Sequence, residues 1–132
     1  MHWYDYVMHF SGVVLALSLL LPVPVADARL ELQVHRTGEK LPMTVTLRCG
    51  KAMQSATDHG SHPNARQACA DLGRLAGDPT RLAPATPCRG EPDRVMAVLS
   101  GTWNNSLITF SSCYASDSAL HEVTGEIFDF SD

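Results

Sequence analysis

The side chains able to do chemistry in this 132-residue chain are four cysteines, six histidines and a scatter of carboxylates. His59 and His62 stand three apart beside Asp58, a spacing that could present two imidazoles and a carboxylate to a metal ion. They sit in a polar stretch without periodicity, Gly50 to His62, where a loop is the simpler reading and His62-Pro63 shapes the approach to a helix. The expectation is no metal. A secreted enzyme built on His59, His62 and Asp58 is the weakest alternative. His121 falls on a short amphipathic segment and reads as a surface or boundary residue rather than a general base. No G-x-S-x-G, no phosphate-cradling glycine loop and no H-E-x-x-H occurs. These residues point to no enzyme and no cofactor.

The cysteines, Cys49, Cys69, Cys88 and Cys113, lie downstream of an apolar leader. Val13 to Val25 is apolar apart from Ser18, Pro22 and Pro24, and Ala26-Asp27-Ala28 supplies the small-x-small pattern of a signal-peptide cut. The reading is a signal peptide over 1–28, starting at Met1 or at Met8, and a secreted, extracellular domain over 29–132. A retained membrane anchor is disfavoured because the run is short for a span and holds two prolines. An even cysteine count in an oxidising compartment reads as two disulfides. Four cysteines allow three pairings, and spacing does not choose among them. No C-x-x-C is present to suggest zinc. All 10 Lys and Arg lie beyond the leader, with every one of the 14 acidic residues except Asp5 and Asp27. The domain is therefore acidic, which argues against nucleic acid or an anionic membrane surface as partner.

The elements that would position these groups follow from periodicity. Leu30 to Val34 alternates, with Leu30, Leu32 and Val34 inward, and Thr44 to Cys49 alternates with Val45, Leu47 and Cys49 on one face. With a turn at Thr37-Gly38-Glu39-Lys40 they make an antiparallel pair. Pro63 and Asn64 open a helix through about Leu75, with Cys69, Leu72, Leu75 and Ala76 as its apolar face and Gly77 as its stop. Pro79 to Pro92 carries four prolines and reads as an exposed, extended segment. Val95 to Leu99 is a strand, Ser100-Gly101 a turn, and Thr102 to Cys113 a further strand. Ser116 or Asp117 caps a short helix through Val123 that Gly125 breaks. Glu126 to Phe130 reads as a last strand, with Phe128 and Phe130 on one face. The fold class is α+β: a five-stranded antiparallel sheet with two short helices.

The stretch Gly60-Ser61-His62-Pro63, followed by Ala68-Cys69-Ala70-Asp71-Leu72 and then Gly77-Asp78, closely resembles the Streptomyces subtilisin inhibitor family. Val45-Thr46-Leu47-Arg48-Cys49 is similar to that family's V-T-L-x-C strand, Gly101-Thr102-Trp103 to its G-x-W, and Ile127-Phe128-Asp129-Phe130 to its terminal V-F-x-F. The resemblance implies a five-stranded antiparallel sheet with two helices. It implies the bridges Cys49–Cys69 and Cys88–Cys113, the latter because Cys113 is the one candidate partner for Cys88. It also implies a secreted, substrate-like, standard-mechanism inhibitor of subtilisin-like or trypsin-like serine endopeptidases. A homodimer through a sheet face is a further candidate assembly.

On that resemblance the inhibitory loop runs Cys88, Arg89, Gly90, Glu91, Pro92. Without gaps the reactive bond is Gly90–Glu91; a shift by one residue makes it Arg89–Gly90. The sequence departs from the family in two places. Gly90 stands where inhibitory members carry a large side chain, and Cys113 lies five residues before the family's fourth cysteine, which aligns with Ser118. The glycine motivates an alternative function: a non-inhibitory extracellular binding or structural domain on the same scaffold.

Overall fold

The structure is a computed structural model and describes residues 27–50, 59–82 and 88–131. The leader lies outside the described residues except for Asp27 and Ala28, and so do Asp58, Pro84 and Pro87.

Alternation builds the sheet. In β1 (Ala28–Arg36) the residues Ala28, Leu30, Leu32 and Val34 are buried, and in β2 (Met43–Cys49) so are Val45, Leu47 and Cys49. A period of two puts each set on one face. The two strands pair antiparallel with Leu32 opposite Val45 and Leu30 opposite Leu47. β3 (Val95–Trp103) pairs with the other side of β1, Leu99 opposite Leu32, and β4 (Ser106–Tyr114) closes the order β2-β1-β3-β4, antiparallel throughout. A cut after Ala28 removes the first residue of β1, whose backbone pairs with Cys49 on one side and Trp103 on the other.

Two helices cover the inner face. α1 (Ala65–Arg74) lies against β2 and sinks Ala68 and Leu72 completely. α2 (Asp117–Thr124) lies against β3 and β4 through Leu120. Their buried side chains join the inward strand residues in one cluster with Trp103, Tyr114, Ile127 and Phe128. The class is α+β, as the sequence implies.

Four expectations need correction. The sheet has four strands among the described residues, because Glu126–Phe130 is not a strand. Ile127 and Phe128 are consecutive and both buried, which a two-residue period forbids, and the segment winds through turn bonds from Ile127 N to Thr124 O and from Asp129 N to Glu126 O. Ser100-Gly101 is not a turn: β3 runs straight through it, and the hairpin bend falls on Asn104 and Asn105, both at positive φ. Gly101 is small for a different reason, since a Cβ there would run into the Arg29 carbonyl of the neighbouring strand. Asn tolerates the left-handed region, so Asn-Asn makes the two-residue hairpin. Ala76 leaves the helical face, being exposed at φ 51° just past the end of α1. Pro79–Arg81 forms a single 3-10 turn rather than extended chain, capped by Asp78 and with Pro79 buried.

Candidate functional site

Of the histidine constellation, Asp58 lies outside the described residues and the His62 ring is committed elsewhere. His62 is 5% exposed. Its Nδ1 accepts the Asn64 N–H at 2.9 Å, which leaves Nε2 to carry the proton and donate to the Ile127 carbonyl at 2.9 Å. Both ring nitrogens are spent on tying the start of α1 to the chain's C-terminal segment, and Phe130 packs edge-on against the ring at 5.5 Å. His59 offers its backbone carbonyl to the Arg48 N–H in extension of β2's edge. Among the described residues no group of three His, Cys, Asp or Glu could hold a metal ion. His121 is on the surface, 3.8 Å from Asp129.

The cysteines build something more specific. Cys49 at the end of β2 is bonded to Cys69 in the middle of α1. Cys88 is bonded to Cys113 on β4, with Cα atoms 5.9 Å apart. Cys113 faces Met96 of β3 on the outward side of the sheet, so the bridge fastens the chain beside the strand it is about to become. Between bridge and strand lies the segment Arg89–Arg94. Arg89, Gly90, Pro92, Asp93 and Arg94 are exposed and Glu91 is half-buried.

The far leg of this segment is also fixed. Pro92 and Asp93 form a tight turn closed by the Arg94 N–H on the Glu91 carbonyl at 3.3 Å. Proline suits the second position of such a turn because its ring presets φ. The Arg94 carbonyl then accepts from both the N–H and the hydroxyl of Thr37, at 3.4 and 3.2 Å. The β1–β2 turn thus braces the base of the loop. A recess of about 260 Å³ opens there, lined by His35, Thr37, Arg94, Met96 and Cys113 among others. A larger cleft of about 780 Å³, with Met43, Leu120, Phe128 and Phe130 in its walls, touches none of residues 88–94.

Within the loop Gly90 sits at φ 93° with open space where a Cβ would be. Across it, the Arg89 backbone N–H donates to Glu91 Oε2 at 2.8 Å. This amide bond holds the Glu91 carboxyl below the usual glutamate range, helped by Glu91's own N–H and by the Arg89 and Arg94 guanidinium charges. Sequence reading puts Cys88, Arg89, Gly90, Glu91 and Pro92 in one segment but misses two things. It does not show the hydrogen bond across Gly90, which depends on a backbone bend, or the Thr37 contact, which joins residues 57 positions apart. A carboxylate two positions after a backbone donor, with glycine between, is the faint local signal for the first.

Residues 27–116 match the family described as subtilisin inhibitor-like. The chain belongs to the subtilisin inhibitor-like family. This is a family of inhibitors, not of enzymes. The matched span takes in both bridges and the whole Cys88–Pro92 loop. Subtilisin inhibitor-like protein 3 of Streptomyces coelicolor is 28% identical over 95 residues, covering 70% of this chain and 89% of the relative. Kexstatin-1 of Streptomyces platensis is 28% identical over 123 residues, covering 91% and 77%. Among solved structures, sermetstatin of Streptomyces caespitosus, crystallised in complex with Bacillus licheniformis subtilisin, superposes with a TM-score of 0.54 at 18% identity. That superposition covers 79% of this chain and 99% of sermetstatin, and it shows the shared subtilisin inhibitor-like fold.

Proposed function

We propose that this chain is a secreted, substrate-like inhibitor of a subtilisin-like or trypsin-like serine endopeptidase, acting through Cys88–Pro92. The observation that carries the reading is a segment with Arg89 and Gly90 exposed and Glu91 half-buried, fastened on both sides: by the Cys88–Cys113 bridge before it, and by the Arg94–Thr37 contacts after it. Its relatives are named protease inhibitors, and the sermetstatin structure is a complex with subtilisin.

The physical reasoning is pre-organisation. A protease binds an extended segment as an added strand and seats one side chain in its specificity pocket. A free peptide loses conformational entropy when it is so ordered, whereas a stapled loop has already lost it. A disulfide closing a loop of this length, 25 residues apart in sequence, removes about 3 kcal/mol of unfolded-state freedom in the entropic account. The nucleophile, base and oxyanion hole belong to the protease, so the inhibitor supplies shape alone. When the bond is cut, the ends stay near each other and resealing competes with release.

The gapless register makes Gly90–Glu91 the reactive bond. The shifted register, Arg89–Gly90, is favoured by one feature: Gly90 at φ 93° is not extended, while Arg89 beside it offers an exposed guanidinium to a pocket with a buried carboxylate. The alternative of a non-inhibitory extracellular domain draws on the same glycine, which fills no pocket. Leader removal near Ala28, extracellular location and a homodimer through the outer sheet face belong to the same proposal. That face carries Arg29, Glu31, Thr109 and Ser111 together with the exposed Met96 and Leu107.

Titration of purified protein against subtilisin and trypsin decides between these. The expected result is stoichiometric inhibition of one enzyme with slow cutting at a single bond, which mass spectrometry assigns to Gly90–Glu91 or Arg89–Gly90. Absence of inhibition at micromolar protein, with rapid degradation in its place, sinks the inhibitor reading.

A further inference from the structure

Both candidate reactive bonds lie between the two ends of one hydrogen bond. The Arg89 backbone nitrogen is upstream of Arg89–Gly90 and of Gly90–Glu91, and the Glu91 side chain that accepts from it at 2.8 Å is downstream of both. Gly90, the residue between, meets nothing on the side where a Cβ would point, so it contributes no side-chain packing of its own to keep the bend. Glu91 is bonded twice. Its carboxylate takes the Arg89 N–H, and its carbonyl takes the Arg94 N–H at 3.3 Å, which is the turn that leads to the Thr37 brace. The near leg is thereby joined to the fixed far leg through a single side chain.

We propose that Glu91 is a positioning residue of the inhibitory loop, its carboxylate bridging the reactive bond so that the two sides stay together before and after cleavage. This rests on the reading that the protease engages Cys88–Pro92. Hydrolysis takes up one water and leaves a carboxylate on the upstream residue and an ammonium on the downstream one. Resealing starts from the acyl ester on the protease serine. The freed amine attacks the ester carbon, the new C–N bond forms as the ester C–O bond breaks, and the proton passes through the protease histidine to the serine oxygen. The amine must lie near the ester for this, and its position depends on whatever spans the gap. The Cys88–Cys113 bridge holds the upstream end at a distance of one or two residues from the break; the Glu91 carboxylate holds it across the break itself. The charges acting on that carboxylate are the guanidiniums of Arg89 and Arg94, both of which favour its ionised form.

Two measurements test this on the secreted protein. In the free protein, the Arg89 amide resonance is followed from pH 7 to pH 3. It is expected to move as the Glu91 carboxyl takes up a proton, below the ordinary value of 4.5, and to stop moving in Glu91→Gln. An amide that does not titrate, or that titrates equally in Glu91→Gln, overturns the brace even in a potent inhibitor; the expected titration upholds it even where neither protease is inhibited. In the second measurement, a catalytic amount of the inhibited protease brings cut and intact forms to equilibrium. The hydrogen bond is looser once its two ends sit on separate chain segments and so favours the intact form. Glu91→Ala is therefore expected to raise the cut-to-intact ratio by about threefold to tenfold, the scale of one exposed charge-assisted hydrogen bond, with Glu91→Gln between it and the parent. A ratio unchanged in both variants overturns the proposal. The remaining amide resonances in the same spectra establish that each variant is folded.

Discussion

A histidine beside a proline invites a catalytic or metal-binding reading, and here the side chain is a fastener instead. His62 is saturated by the Asn64 N–H and the Ile127 carbonyl. Replacing it with Ala leaves both of those groups without a partner and opens a cavity beside Phe130. We expect His62→Ala to lower unfolding free energy by about 3 kcal/mol, measured by urea denaturation, while any inhibition by the folded fraction survives. At Gly90 two effects of similar size oppose each other. A Met side chain buried in a protease pocket gains about 1.5–3 kcal/mol, but at φ 93° an L-residue costs about 1–2 kcal/mol. Gly90→Met is therefore expected to tighten inhibition of subtilisin by only about fivefold. No tightening at all in the inhibition constant argues that Gly90 does not occupy the specificity pocket. At this scale the sequence was legible in identity but not in role. It names the loop residues and His62, yet says nothing of which polar atoms meet, because those partners lie as far as 65 positions away.

Elements were legible where one period ruled. β1, β2 and α1 fall where alternation and three-to-four spacing put them, because each has a single buried face. The helix after Ser116 is equally local: the Ser116 hydroxyl accepts the Ala119 N–H at 3.1 Å, satisfying one of the orphan donors of the first turn. Ser116→Ala is expected to cost about 1 kcal/mol in thermal or urea unfolding. The errors arose where a residue type has two uses. Glycine marks turns and also marks close strand contact, and Gly101 is the second kind. Two phenylalanines with one residue between them suggest a strand face, but Phe128 is in the core while Phe130 lies over His62. What decides that segment is tertiary: His62 and Asn64 hold the carbonyls of Ile127 and Asp129, and no window around residues 126–130 contains that information.

At the scale of the whole molecule, a modest core is supplemented by covalent and electrostatic ties. Arg36 at the end of β1 reaches Asp117 at the start of α2, at 3.0 Å, in an exposed pair of small energetic weight. The carboxyls of Asp78 and Asp129 are held below their usual value of 3.8. For Asp78 the cause is chiefly the Thr80 hydroxyl; for Asp129 it is chiefly the Ser131 hydroxyl, with His121 adding to it. A depressed carboxyl stabilises the folded state above its unfolded pKa, and that stability is lost as pH falls through the folded value. The urea midpoint is expected to be insensitive to these two groups from pH 7 down to about 4 and to decline below the ordinary aspartate value. A midpoint that does not move below about pH 4 contradicts this account.

The two disulfides share a geometry that spacing alone does not reveal. Among the described residues β2 and β4 are the outer strands of the sheet, and each carries one half-cystine: Cys49 is welded inward to α1, Cys113 forward to the chain that becomes β3. Outer strands are where a sheet peels, exchanges its amide protons with solvent, or recruits a foreign chain. With both rims riveted, peeling is resisted on each side, and the loop gains a mount that does not flutter. A protease pulling on that loop is pulling on the sheet.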